Sequence, residues 1–244
     1  MEGDELVVET RGLRKEFDGL VAVQSLDLSV AKGTLYGMIG PNGSGKTTAI
    51  KMLVGLLRKS AGEARILGEE VPLKEARSRL GYMPQEIAVY PDLSVGENLE
   101  FFAGLYSVPK EKRKARTEEV LSVVDLSARK DSLVSQLSGG MKHRLSLGCA
   151  LMHDPDLLFL DEPTVGVDPE LRVGFWRFFS DLKGQGKTII LSTHYMDEAI
   201  RCDVVGMLRN GVLFAEGSPS SLMDSTGTSN LEDAFLELSG RSRP

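Results

Sequence analysis

The sequence of 244 residues contains two cysteines, Cys149 and Cys202, each inside an apolar stretch. That is too few for a disulfide framework, and the setting predicts two buried free thiols in a reducing compartment. No apolar run approaches the roughly 18 residues of a membrane-spanning helix, which excludes a transmembrane segment in this stretch of chain. The opening residues, "MEGDELVVET", lack the basic-then-apolar order of a signal peptide, so none is expected. Excess positive charge is missing too: 29 Lys and Arg stand against 35 Asp and Glu, a net charge of −6, which disfavours a nucleic-acid partner. The one basic cluster, "KEKRKAR" from Lys110 to Arg116, reads as a solvated helix face. Internal repeats, low-complexity tracts and sustained heptads are absent, leaving one continuous unit long enough to bury a core.

What is present alternates between strand and helix patterns. Leu26, Leu28 and Val30 alternate as in a half-buried strand, and "TLYGMIG" is a short apolar run ending at Gly40. From about Gly45, the apolar residues Ala49, Ile50, Leu53 and Leu57 share one helical face. "GEARILG", "DLLFLD", "KTIILST" and "DVVGML" are further strands, and Leu231, Ala234, Phe235 and Leu238 mark a short amphipathic helix near the end. The predicted fold is α/β: a mostly parallel sheet with helices on both faces, interrupted by an inserted helical subdomain. Residues 1–85 and 155–217 are expected to form the two halves of the core. Residues 86–154 would form the helical subdomain and 218–244 a C-terminal tail.

The strongest chemical signal is "GPNGSGKTT", Gly40 to Thr48, between a buried strand and a helix. Gly43 and Gly45 let the backbone curl its N–H groups toward phosphate oxygens. Lys46 brings a point charge to the β- and γ-phosphates, and the Thr47 hydroxyl suits Mg²⁺. A buried strand then ends in Asp161-Glu162, where charge is costly unless a cation or substrate compensates it. Asp161 suits the Mg²⁺ shell, and Glu162 suits a general base that takes a proton from water attacking the γ-phosphate. Two further strand ends carry Gln85, with an amide for metal and attacking water, and His194, with an imidazole for the γ-phosphate. His143 and His153 read as surface or helix-end residues. "LSGGMKHR", Leu137 to Arg144, reads as the opening of an amphipathic helix with Ser138, Gly139 and Gly140 as a second anion seat.

In this order the motifs closely resemble the ATP-binding cassette (ABC) ATPases: Phe17, Gly40 to Thr48, Gln85, "LSGGM", Asp161-Glu162, "VGVD" and His194. The resemblance covers nearly the whole chain and implies an α/β fold with a phosphate-loop NTPase core of mostly parallel sheet, an N-terminal antiparallel β region and an inserted helical subdomain. It implies that Phe17 stacks on adenine, although a core phenylalanine fits that position almost equally. It implies a cleft for ATP and Mg²⁺ built from Gly40, Pro41, Asn42, Gly43, Ser44, Gly45, Lys46, Thr47 and Thr48. Thr47, Gln85 and Asp161 would hold the metal; Glu162, His194, Gln85 and Lys46 would be catalytic. It further implies two ATPase chains, identical or different, paired head to tail around two ATP molecules. Ser138, Gly139 and Gly140 of each would cap the nucleotide held by the other, with Asp168 aligning the junction. Met141 departs from the family's usual glutamine, which leaves the backbone and serine contacts in place.

"SGGM" with basic residues, "STHYMDEA" and "NLEDAFLELSG" are similar to exporters of the drug or lipid efflux type, whose membrane part is a separate chain. The expected partner is therefore a transmembrane permease subunit, with this chain peripheral on the cytoplasmic face of the membrane and no nucleic-acid partner. An importer subunit is the alternative, set back by a short tail without a regulatory domain. A non-transport ABC ATPase is further off, because one phosphate loop and an acidic balance fit neither translation factors nor DNA-associated members. Within "EIAVYPDLSVGENLEFFAGLY", Phe101 and Phe102 read as core, and the Ile87–Leu93 segment as docking surface or core alike.

Overall fold

A computed structural model describes residues 5–240. Strand β1 (Leu6–Phe17) returns as β2 (Leu20–Ala31) through Asp18 and Gly19, both at positive φ. This is the two-residue turn whose twist suits a hairpin, and it leaves Phe17 paired with Leu20 at the tip. β4 (Ala61–Ile66) adds to β1 antiparallel, and β5 (Glu69–Glu70) closes that edge. The second group comprises β3 (Leu35–Ile39), β6 (Leu80–Met83), β7 (Leu157–Asp161), β8 (Thr188–Thr193), β9 (Val204–Arg209) and β10 (Val212–Gly217). β9–β3–β8–β7–β6 pair in parallel, β10 runs antiparallel to β9, and Val212 opposite Ser25 joins both groups. The whole is one sheet of order β5-β4-β1-β2-β10-β9-β3-β8-β7-β6.

The central strands are buried along their full length, and their period of two sends alternate side chains to two separate cores. Tyr36, Met38, Leu157, Phe159 and Ile190 face one core, shared with helix α1 (Lys46–Leu53) and the antiparallel strands. Leu35, Ile39, Leu158, Leu160, Ile189 and Leu191 face the other. That second core is covered by α2 (Val95–Leu105), α3 (Lys110–Val123), α4 (Gly139–Leu151) and α5 (Pro169–Gly184). α6 (Met196–Ala199), α7 (Pro219–Thr226) and α8 (Leu231–Leu238) complete it. Each fully buried side chain of this kind contributes roughly 1.5–3 kcal/mol. Ser94 starts α2 with a capping box, its hydroxyl accepting from the Glu97 N–H while the Glu97 carboxylate accepts from the Ser94 N–H.

Several expectations need correction. α4 is not amphipathic: from His143 to Leu151 every residue is buried, because the helix lies between the sheet and helices α2 and α3. His143 is therefore a buried residue, 6% exposed. His153 is half-buried, stacked on Tyr106 with ring centroids 3.8 Å apart, and its Nε2 lies 3.0 Å from the Leu80 carbonyl. Phe101 is 42% exposed rather than core, beside the exposed Ile87 and Tyr90. The basic cluster on α3 is mostly exposed, as a solvated face, with Arg116 reaching back to donate to the Leu151 carbonyl at 2.6 Å. Both cysteines are free and buried, with burial raising the Cys202 thiol to about 12. The end of the expected tail, residues 241–244, lies outside the described residues.

Candidate active site

The loop between β3 and α1 is shaped by close backbone approach. A Cβ on Gly40 would sit 2.2 Å from the Leu208 carbonyl oxygen, and one on Gly45, itself at φ +106, would sit 2.6 Å from that of Ala22. The loop thus nests against β9 and β2 and aims the first N–H groups of α1 outward, where an anion is stabilised. Lys46, 5% exposed, folds back so that its Nζ donates to the carbonyls of Gly40 (2.7 Å) and Pro41 (3.2 Å). Burial lowers its pKa, and the nearby carboxylates of Glu162 and Asp161 oppose that shift.

These residues form the floor of a cleft of about 440 Å³. Asn42 to Thr48 line it below, Phe17 and Leu20 to Ala22 form one wall, and Gln85 and Glu162 form the other. Phe17 is 41% exposed, with the Lys15 ammonium 4.5 Å from its ring centre, so the ring stands open at the cleft and not in the core.

Three adjacent parallel strands deliver the acidic wall. Gln85 follows β6, Asp161 and Glu162 end β7, and His194 follows β8, all at the carboxyl edge of the sheet. Glu162 is 6% exposed and holds both neighbours. Gln85 Nε2 donates to its Oε2 at 3.2 Å, and His194 Nδ1 lies 3.2 Å from its Oε1. Asp161 is fully buried; its Oδ1 accepts from Thr47 Oγ1 at 3.1 Å and from Ser192 Oγ. Burial raises the Asp161 pKa, against the pull of those two hydroxyls. Its Oδ2 is buried with no hydrogen-bond partner, as is the Ser44 hydroxyl in the loop.

That orphaned oxygen is a good fit for a small cation. Thr47 and Asp161 offer hard oxygen donors in contact, and the Gln85 carbonyl oxygen is not engaged by Glu162. Among the described residues no three His, Cys, Asp or Glu converge on a metal-sized site. Such a site suits Mg²⁺, which binds through one or two protein ligands together with substrate phosphates.

The second anion seat lies elsewhere. Ser138 caps α4, its Oγ accepting from the Met141 N–H at 3.3 Å. Ser138 and Gly139 are exposed, and none of Ser138, Gly139 and Gly140 lines the cleft. A Cβ on Gly140 would lie 3.0 Å from the Gly166 carbonyl, so this turn touches the loop leading to Asp168. Asp168 is exposed and caps α5, accepting from the Leu171 N–H at 3.1 Å.

Three residues of the site escaped sequence reading. Ser192 joins Asp161 to the Glu162 N–H, which it accepts at 3.0 Å; the signal was a hydroxyl inside the fully buried "TIILST". Glu198, 3% exposed, accepts from Thr164 Oγ1 at 2.6 Å and pairs with Arg172 at 3.3 Å, tying the loop before Asp168 to the segment after His194. Burial raises its pKa, with Thr164 and Arg172 opposing. His143 places its Nε2 3.2 Å from the Glu162 carbonyl oxygen.

A glycine loop at the carboxyl edge of parallel strands, facing an acid from a neighbouring strand, is built for the phosphates of a nucleotide, which defines a phosphate-loop nucleotide-binding protein. The class narrows on comparison with known proteins. A profile of the ABC transporter family matches residues 23–165, and the chain belongs to that family and carries its ATP-binding domain. It is 39% identical to the probable multidrug ABC transporter ATP-binding protein YbhF of Escherichia coli (strain K12), over 96% of this chain and 42% of that protein. The Nod factor export ATP-binding protein I of Burkholderia orbicola (strain AU 1054) is 41% identical over 89% of this chain and 73% of its own length. The chain thus spans less than half of the first relative and about three quarters of the second.

Among solved structures, an ATP binding subunit of an ABC transporter superposes with a TM-score of 0.88 at 28% identity, covering 96% of this chain and 99% of that one. CbiO1 of Clostridium perfringens, part of the ABC transporter complex cbiONQ, superposes with a TM-score of 0.79 at 25% identity, covering 91% and 92%. No helix among the described residues is long and apolar enough to cross a membrane.

Proposed function

We propose that this chain is the ATP-hydrolysing subunit of a membrane exporter. It works from the cytoplasmic face of the membrane with a transmembrane permease on another chain. The carrying observation is that Glu162 stands over the phosphate loop with one carboxylate oxygen held by Gln85 and the other by His194. A carboxylate so clamped keeps one orientation toward the water it is to activate.

ATP lies in the cleft with its adenine against Phe17 and its phosphates over the N–H groups from Gly40 to Thr48, while Lys46 places its charge at the β- and γ-phosphates. Thr47 and Asp161, with Gln85 beside them, would hold Mg²⁺, which would neutralise phosphate charge. Glu162 takes a proton from the attacking water as the bond to the γ-phosphate breaks, and His194 contacts that phosphate. Ser138 and Gly139 are open to solvent, with Gly140 half-buried beside them, and there a second ATPase chain, identical or not, would present its own nucleotide. Asp168 then sits at the junction. ATP joins the pair and hydrolysis separates it, since only the triphosphate binds both faces.

Residues 86–154 form, in this reading, a subdomain that carries motion to the permease through the exposed cluster of Ile87, Tyr90, Phe101 and Leu105. Residues 1–85 and 155–217 are the catalytic core, followed by a short tail. Export as the direction rests on the relatives, whose names specify multidrug transport and Nod factor export. The test is to tag the chain in its native cell, solubilise membranes gently and identify what co-purifies. One polytopic membrane protein is the expected result. A solute-binding protein in the same complex would indicate import, and recovery with ribosomes or DNA-bound factors would contradict transport.

A further inference from the structure

We infer that His143 is a positioning residue for Glu162, linking the helix that caps the partner's nucleotide to the base of its own site; this rests on the paired-subunit reading above. Helix α4 begins at the exposed Ser138 and, just over one turn later, turns a buried His143 onto the loop after β7. The ring nitrogen Nε2 lies 3.2 Å from the Glu162 carbonyl oxygen. A carbonyl only accepts, so Nε2 must carry the proton. Burial favours the neutral ring, while the backbones of Glu162 and Pro163, both offering carbonyl oxygens, pull the other way; the neutral ring has one N–H, and at Nε2 it serves the Glu162 carbonyl.

The residue so held needs holding. Glu162 has φ +54, in the left-handed region that a side chain disfavours. Its N–H donates to the Ser192 hydroxyl and carbonyl at 3.0 and 3.2 Å, and its carbonyl accepts from the Val165 N–H at 3.2 Å. Those contacts come from its own loop and from β8. His143 is the one side chain that ties this peptide to α4 among the hydrogen bonds of the described residues. Without it the Glu162 carbonyl is left to the Val165 N–H of its own loop, the peptide loses its tie to α4, and the carboxylate shifts relative to Gln85 and His194. One helix therefore serves two nucleotides: Ser138 at its start faces the partner's, and His143 fixes the base that works on its own.

Mixed dimers separate this role from a role in capping. Two affinity tags select pairs of one H143F chain with one E162Q chain, in which the only working base belongs to the H143F chain. The reverse pair joins an H143F/E162Q chain to a wild-type chain, whose working base keeps its own His143. Relative to wild type paired with E162Q, the first should lose about tenfold in kcat with KM within twofold, as expected for one hydrogen bond. The second should be unchanged. H143Q, which restores an N–H donor, should recover most of the loss. Equal loss in both pairs, loss only in the reverse pair, or a raised KM at unchanged kcat would overturn the assignment. So would full activity of H143F.

The histidine tautomer tests the bond without turnover or substitution. In ¹⁵N-histidine-labelled wild-type protein, His143 should be the Nε2–H form; the Nδ1–H form would overturn the proposal. If wild type paired with E162Q fails to hydrolyse ATP or to form a pair, the subunit function has failed, and the tautomer still decides the contact.

Discussion

The loop from Gly40 to Thr48 and the turn from Ser138 to Gly140 both set glycines and backbone N–H groups at the start of a helix, yet the chain treats them oppositely. The first is walled in: Gly40 presses on β9, Lys46 is buried, and Glu162 and Gln85 stand opposite across a cleft. The second is left open, with Ser138 and Gly139 exposed and the Gly166 carbonyl close to Gly140. A phosphate site needs donors, a cation and shelter from water, and one chain supplies all of these only at the first. The second offers donors without an enclosure, as half of a site would.

That contrast can be broken by substitution. Glu162→Gln should lower kcat by about 10²–10⁴-fold with ATP affinity retained, the usual worth of a general base. Single-turnover assays with filter binding check both, and residual turnover near wild type would remove Glu162 as base. Lys46→Ala should weaken ATP binding to the isolated chain by about tenfold to a hundredfold, as for charged hydrogen bonds, measured by titration calorimetry. The two glycine seats differ in what they tolerate. Gly40→Ala places a methyl against the Leu208 carbonyl and should cost about 2 kcal/mol or more of stability. Gly139→Ala meets open space and should lie within about 0.5 kcal/mol of wild type in urea unfolding.

The far end of α4 is closed where its start is open, and pH should reveal it. His153 lies just beyond α4, and burial lowers its pKa from 6.5 to about 4. The unfolded chain takes up this proton first, so stability is unaffected above pH 6.5 and falls as pH drops from there toward 4. Screening at this half-buried ring reduces the loss to the order of 2 kcal/mol. His153→Phe should keep the stack on Tyr106 and flatten that part of the acid limb in urea midpoints measured from pH 4.5 to 7.

The phosphate loop was legible because its chemistry is contiguous, nine residues running from the end of a strand into the first turn of a helix. The acids and His194 were legible because each ends an apolar run. What stayed hidden depends on who covers whom. Nothing within "GGMKHRLSLGCAL" says that both faces of α4 will be buried, so His143 read as a surface or helix-end residue, whereas His153 does stand at the helix end, half-buried. Ser192 looked like part of a strand, because its two bonds reach Asp161 and Glu162 on the neighbouring strand. Strand β1 was missed for a similar reason: it is interrupted by Gly12, and its register against β2 shifts several times, so no clean alternation survives in the sequence. Local chemistry is written in order along the chain, whereas burial is settled by distant partners.

The most direct test of the divided site is Ser138→Arg in the Glu162→Gln background, followed by size-exclusion chromatography with and without ATP. The Glu162→Gln chain should pair when ATP is present. The double variant should bind ATP equally well and remain a monomer, because the added side chain obstructs only the open seat. Pairing of the double variant like its parent, or loss of its ATP binding as a single chain, would contradict the division of the site between two chains.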